Sequence, residues 1–290
     1  MKYGILLFLL LFPGCNMKKE IKIQGHRGAR GLYPENSVPG FLKTLEMGIT
    51  TLEMDVVVSK DGKILLSHEP FFSSEICLDS TGNPIPPEKE KEFNIYMMDY
   101  EEIEKFDCGK TLHPRFPQQQ KISVFKPLLK EVIRVCEEFG RNKNTFVYYN
   151  IETKSQREGD NIFHPTPDKF ALMLYTELKN LNILSRVILQ SFDVRTLKEL
   201  KKLDGTLTLA LLVENELSFQ QNIDSLGFIP QIYSPYYKFV NEDLVKDVHS
   251  KNMKIIPWTV NEEADMLQMR QLGVDEIITD YPDRVLRVLN

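Results

Sequence analysis

Two carboxylates set two residues apart, Glu53 and Asp55, lie inside the apolar, β-branched run Leu52-Glu53-Met54-Asp55-Val56-Val57-Val58. Such a run reads as a strand, and a strand's period of two puts both acids on one face. An isolated pair of this kind is often just the charged face of an exposed hairpin. The apolar wall around this pair argues for burial, and buried carboxylates need a partner or a cation. Lys60-Asp61-Gly62-Lys63 then turns the chain, with Gly62 free to take positive φ. The return leg Ile64-Leu65-Leu66 ends at His68, and histidine as a residue type titrates near neutrality and can move a proton. Two ligands for a hard cation and one acid–base group therefore share a single hairpin.

The elements that must hold this hairpin alternate along the chain. Strand patterns fall at 21–25, 51–58, 146–154, 187–192, 207–213, 231–234, 254–260 and 276–279. Helical spacing of apolar residues marks 35–47, 123–139, 167–181, 194–203, 218–226, 242–250, 262–272 and 282–289. Eight strands, each followed by a helix, predict an α/β protein with a closed (β/α)₈ barrel, a TIM barrel, in one domain over 15–290. An open doubly wound sheet is the alternative. The rhythm breaks over about 69–121, where prolines, a charged run and a glutamine tract leave only 99–106 helical. An insertion of that length beside barrel elements suits a wall or lid over a site.

Chemistry in such a barrel gathers where the strands end. The first strand runs into Gly25-His26-Arg27-Gly28, and the third ends with Asn150, Glu152 and Lys154 on one face. The fourth ends Leu189-Gln190-Ser191-Phe192, and the seventh Pro257-Trp258-Thr259-Val260-Asn261. Glu53, Asp55 and Glu152 together make an all-oxygen set suited to Ca²⁺ or Mg²⁺. No cysteine belongs to it, which disfavours a metal that prefers thiolate. His113, His164 and His249 read as solvated surface residues.

With 290 residues, 42% hydrophobic and 27% charged, the chain has the composition of an ordinary globular protein. A net charge of −5 and the lack of a long basic block exclude a nucleic-acid partner. The N-terminus differs from the rest. After Lys2 an almost wholly apolar stretch ends in Leu11-Phe12-Pro13-Gly14-Cys15, which resembles the bacterial lipoprotein box. This predicts a signal peptide over 1–14, lipidation of Cys15, and an exported, membrane-anchored protein. Cys136 sits in an amphipathic helical pattern as a core thiol, while Cys77 and Cys108 could be bridged or free.

Gly25-His26-Arg27-Gly28, Pro34-Glu35-Asn36-Ser37, Glu53-Met54-Asp55, Lys60-Asp61-Gly62, Ser67-His68-Glu69, the 150–154 strand and Trp258-Thr259-Val260-Asn261, in this order, resemble the glycerophosphodiester phosphodiesterase family. The resemblance implies a TIM barrel, a divalent metal and two catalytic histidines. By matching motif, Glu53, Asp55 and Glu152 would ligate the metal, and His26 and His68 would form the acid–base pair. Arg27 and Lys154 would contact phosphate, and Trp258, with Gln190, would line the substrate pocket. The implied reaction converts a glycerophosphodiester to glycerol 3-phosphate and an alcohol. The sequence departs from the family in carrying Glu69 after His68, where aspartate is common, and in the adjoining Pro70–Ser74 segment. The alternatives are a phosphodiesterase for a glycosyl or inositol head group, and a lipoprotein that binds phosphodiesters or glycans without cleaving them.

Overall fold

Val, Ile and Leu dominate the strands of the computed structural model, which describes residues 21–289. The strands are β1 Lys22–Gly25, β2 Thr51–Val58, β3 Ile64–Leu66, β4 Tyr148–Thr153, β5 Val187–Ser191, β6 Thr208–Val213, β7 Ile232–Pro235, β8 Lys254–Ile255 and β9 Glu276–Thr279. Hydrogen-bonded neighbours run in the order β8-β7-β6-β5-β4-β2-β1-β9, all parallel, with the short β3 antiparallel on β2. β8 and β9 meet through the Asp275 N–H on the Ile255 carbonyl, the Ile278 N–H on the Pro257 carbonyl and the Val260 N–H on the Ile278 carbonyl. These bonds bring the ring of eight parallel strands close to closure, so the fold is the expected (β/α)₈ barrel and not an open sheet.

The helices are α1 Val38–Glu46, α2 Tyr100–Ile103, α3 Leu129–Lys143, α4 Pro167–Asn180, α5 Val194–Leu203, α6 Phe219–Leu226, α7 Glu242–Ser250, α8 Glu263–Leu272 and α9 Pro282–Leu289. All but α2 come after a barrel strand, and their apolar stripes pack on the strands' outer faces in one large core.

Local chemistry explains where the observed bounds differ from those expected. The first helix starts at Val38, not at 35, because Ser37 caps it by accepting from the Gly40 N–H. The helix expected from 123 begins at Leu129, since Pro127 biases the residue before it towards extended backbone. It ends at Asn144, which takes the left-handed conformation with φ 52°. The strand expected over 254–260 shortens to Lys254–Ile255, because Pro257 has no N–H to donate and cannot continue the ladder.

The insertion is better organised than its composition suggests. Besides α2 it holds two 3₁₀ turns, Pro87–Glu92 and Ile95–Met97. It packs a core of its own around Phe72, Cys77, Ile85, Ile95, Ile103 and Phe106, seated on Val57 and Leu65 of the hairpin. Cys77 and Cys108 form a disulfide across it, and Cys136 is a free, buried thiol, as expected. Two expectations fail here. His113 and His164 are buried, not solvated. The His113 ring stands edge-on to Phe116 at 4.7 Å, and His164 hydrogen-bonds to Gln156 and to the Pro165 carbonyl. Of these three, His249 alone is exposed, where it pairs with Asp275 at 2.9 Å.

Candidate active site

The turn after β1 is tightly built. A Cβ at Gly25 would lie 2.4 Å from the Gly28 carbonyl oxygen, and Gly28 holds φ +87°. Arg27 between them has φ 50°, a conformation that a large side chain rarely adopts. In this pose its backbone N–H donates to Glu53 Oε2 at 2.9 Å, joining the turn to β2.

Strand register brings the acids together. β2 and β4 run in parallel with Glu53 opposite Asn150 and Asp55 opposite Glu152. One oxygen from each of Glu53, Asp55 and Glu152 lies within 4.8 Å of the other two, and all three residues are buried. Asp55 Oδ2 accepts from Asn36 Nδ2 at 2.9 Å, while buried Asp55 Oδ1 makes no hydrogen bond. Lys154 Nζ lies 3.8 Å from that oxygen and 2.7 Å from Glu152 Oε1.

The charges fall unevenly. Burial and the neighbouring Asp55 raise the Glu53 carboxyl well above the usual range. Burial likewise lifts Glu152 to about 7, against the pull of Lys154. Burial also opposes ionisation of Asp55, but Arg27, His68 and Lys154 overcome it and hold that group far below the ordinary value. Three crowded carboxylates, one with an orphaned buried oxygen, form a donor set that fits a hard divalent cation.

Each histidine is held by its own carboxylate. His26 Nδ1 lies 2.6 Å from Asp280 Oδ1, and its Nε2 is 3.8 Å from Glu53 Oε2. Asp280 is itself gripped by Arg30, at 2.8 and 3.0 Å, and by Asn261 Nδ2 at 2.7 Å. His68 Nδ1 lies 2.7 Å from Glu69 Oε1. Burial is the first cause that lowers both imidazoles, taking His26 to about 4. With Nδ1–H directed at a carboxylate, Nε2 of each ring is the free proton acceptor.

Both histidines, Arg27, Glu53, Glu152, Lys154, Gln190 and Trp258 line one cavity of about 950 Å³ at the C-terminal ends of the strands. Ser73, Ser74, Glu75, Glu90 and Arg115 of the insertion form its outer wall. A sequence model of the glycerophosphoryl diester phosphodiesterase family matches residues 26–284. The chain belongs to this family. It is a phosphoric diester hydrolase, and the family supports hydrolysis of glycerophosphodiesters as its reaction. It is 28% identical over 274 residues to a Bacillus subtilis glycerophosphodiester phosphodiesterase, covering 89% of this chain and 83% of the relative. The corresponding protein of Caldanaerobacter subterraneus is 29% identical, over 91% of this chain and 96% of its own. Among solved structures, a candidate glycerophosphoryl diester phosphodiesterase from Silicibacter pomeroyi superposes with TM-score 0.83 at 29% identity, covering 93% of both chains. An Oleispira antarctica phosphodiesterase, solved with its product sn-glycerol-3-phosphate, shares the fold with TM-score 0.71 at 21% identity, over 92% of this chain and 96% of that one.

Within this phosphodiesterase the candidate residues occupy two layers. Arg27 Nη1 binds Glu35 at 3.0 and 3.1 Å, and its Nε lies 3.1 Å from Asp55 Oδ2 without hydrogen-bond geometry. Burial resists ionisation of Glu35, yet Arg27 and Arg30 bring it to about 2. Trp258 donates its indole N–H to the Ser234 carbonyl at 2.8 Å and packs against Phe192, leaving a face in the cavity. Gln190, expected at the substrate, commits its amide to Glu53 and Asn150. Asp280, Asn36 and Glu35 escaped assignment from sequence. Asp280 comes directly after the last strand and so obeys the same strand-end rule, and Asn36 and Glu35 stand within a motif whose individual roles were not legible.

Proposed function

We propose that the enzyme hydrolyses glycerophosphodiesters to glycerol 3-phosphate and a free alcohol, with Glu53, Asp55 and Glu152 holding a divalent cation, Ca²⁺ or Mg²⁺, and His26 and His68 acting as acid and base. The observation that carries this reading is the meeting of a buried three-carboxylate cluster with two carboxylate-tethered imidazoles on one cavity. Phosphodiester cleavage needs one proton removed from the nucleophile and one delivered to the leaving alkoxide. One ring with Nε2 unprotonated can take the first proton, and the other, entering the cycle protonated at Nε2, can give the second to the alkoxide. A bound cation would supply Lewis-acid neutralisation of the phosphoryl oxygens. Arg27 and Lys154 add fixed positive charge at the same place, where charge shifts as the P–O bond breaks.

The glycerol half is the natural occupant of the barrel mouth beside Trp258, and the alcohol half faces the insertion. The Oleispira antarctica enzyme was captured with the product proposed here. Cys15 lies outside the described residues. We propose its lipidation, and hence export and membrane anchoring, on the apolar stretch and small residue that precede it.

Release of glycerol 3-phosphate from glycerophosphocholine, glycerophosphoethanolamine and glycerophosphoglycerol tests the reading. All three should be hydrolysed, and a bare aryl phosphodiester far more slowly, because unpaired hydroxyl-binding groups cost more than trimmed apolar contacts. Equal rates on the aryl diester would remove glycerol from the recognised half. Binding of these diesters without turnover by the metal-loaded enzyme would leave the binding-protein alternative.

A further inference from the structure

Five buried polar side chains cross the interior of the barrel. Glu276 Oε2 accepts from Gln24 Nε2 at 2.8 Å, and Gln24 Oε1 accepts from Asn150 Nδ2 at 2.8 Å. Asn150 Nδ2 also donates to Gln190 Oε1 at 3.0 Å, and Gln190 Nε2 donates to Glu53 Oε1 at 2.9 Å. The chain thus runs from the first residue of β9 through β1, β4 and β5 to the carboxylate cluster on β2. Lys254 Nζ closes its far end, 3.3 Å from Glu276 Oε1. All five residues are at least nine-tenths buried.

The direction of these bonds is forced. Glu53 is ionised when it holds a cation and then only accepts, so Gln190 must turn its NH₂ group towards it, while Gln24 turns its own towards Glu276. Their oxygens then point inward from both sides, and Asn150 between them must spend both its hydrogens. The cost is visible, because Asn150 Oδ1 is buried with no hydrogen-bond partner. Barrel interiors of this type are filled mainly by branched aliphatic side chains, which carry no such cost. A layer of amides that leaves one oxygen orphaned is therefore poor filler, and its ordered polarity calls for another role.

We infer that Asn150 and Gln190 are positioning residues for Glu53, which they hold, through a directed line of amides, in the pose of a cation ligand. Gln190 fixes Oε1 of Glu53 while the Arg27 N–H fixes Oε2, so the carboxylate plane cannot turn and each oxygen keeps a lone pair for a cation. Asn150 makes no hydrogen bond to Glu53. It acts by keeping the Gln190 amide from flipping, since a flipped amide would set oxygen against oxygen. This rests on the proposal that Glu53, Asp55 and Glu152 hold a cation.

The test is calorimetric titration of the metal-free protein with Mg²⁺ or Ca²⁺ alone, with thermal unfolding of the same metal-free samples beside it. Wild type should bind one cation. Gln190→Met should weaken binding about 10–100-fold, the usual loss when a group supporting a metal ligand is removed. Asn150→Leu, also neutral, should weaken it too, and should add nothing further in the Gln190→Met background, because its effect passes through Gln190. Wild-type affinity in Gln190→Met would overturn the inference, as would an equal loss from Asn150→Leu in both backgrounds. If Asn150→Leu does not fold, Gln190→Met alone decides. A wild type that binds no divalent cation would instead sink the metal reading on which this inference stands.

Discussion

Asp280 shows how one residue's protonation geometry is set by several others. It accepts from Arg30 and Asn261 and leaves one oxygen 2.6 Å from His26 Nδ1, which fixes the tautomer with Nε2 open to the cavity. Asp280→Asn should lower kcat strongly with a small change in KM, up to the ~10⁴-fold loss of a base held in the wrong tautomer. His26→Ala and His68→Ala should each cost about 10²–10⁴-fold in kcat. In both, cation affinity should stay near wild type, and a parallel loss of metal would mean that the rings serve the ligands instead. Lys126 makes a separate prediction about pH. It is buried with Nζ on Ser67 Oγ at 2.7 Å, and burial above all lowers its pKa from 10.5 to about 8. Between those values the unfolded chain binds the proton that the folded chain has lost, so this group makes stability rise with pH. Below pH 8 its destabilising effect is present in full. The stability advantage of Lys126→Met over wild type should therefore shrink between pH 8 and pH 10.5, by at most about 3 kcal/mol. Denaturant midpoints measured across that window would expose a flat difference if the ammonium is in fact well solvated.

At the level of elements, the barrel was legible in the sequence because every strand and helix repeats one pattern. The hairpin from Thr51 to His68 was legible for a different reason, since two acids inside a β-branched run are buried at a cost that only a partner or a cation offsets. The insertion was not. Its apolar residues keep to no single period, because short 3₁₀ turns and isolated bridges replace regular elements. Nor could sequence decide whether Cys77 and Cys108 pair, which depends on two segments 31 residues apart folding back on each other. His113 was misread for a related reason, since only the packed insertion buries it beside Phe116. The disulfide closes a loop whose constraint is worth about 3–4 kcal/mol in the chain-entropy account. The double variant Cys77→Ala/Cys108→Ala should become sensitive to protease in the exposed part of the insertion, while the barrel's melting temperature changes little. Because Ser73, Glu75 and Arg115 form the cavity's outer wall, KM should rise more than kcat falls. Loss of the barrel's own transition would show that the insertion does not open independently.

For the molecule as a whole, the cation should serve stability as well as chemistry. Binding offsets the burial and the carboxylate repulsion that raise Glu53 and Glu152, and a ligand bound only by the folded state stabilises it by mass action. Chelation should abolish turnover and lower the melting temperature, and added Mg²⁺ or Ca²⁺ should restore both. Full activity in verified metal-free enzyme would refute the site. Among the described residues no helix is long and apolar enough to cross a membrane. The proposed lipid on Cys15 would supply the attachment. Cys15→Ser should then free the protein from membranes while its fold is kept. Wild type recovered from the soluble fraction without lipid would end that proposal.

All eight barrel strands point the same way, and that has a consequence for where the enzyme finds its substrate. The chain enters β1 at Lys22, on the end of the barrel opposite the catalytic mouth. Six peptide steps separate Cys15 from Ile21, a reach of roughly 20 Å at full extension. A lipid on Cys15 would set the barrel's floor towards the bilayer and turn its mouth to the aqueous side. The enzyme would then draw on head groups already released into solution and would leave standing lipid alone. Glycerophosphocholine in solution should be cleaved readily, and lysophosphatidylcholine held in vesicles scarcely at all. Comparable rates on the two would mean that the mouth can lean over and graze the surface to which a lipid on Cys15 would tie it.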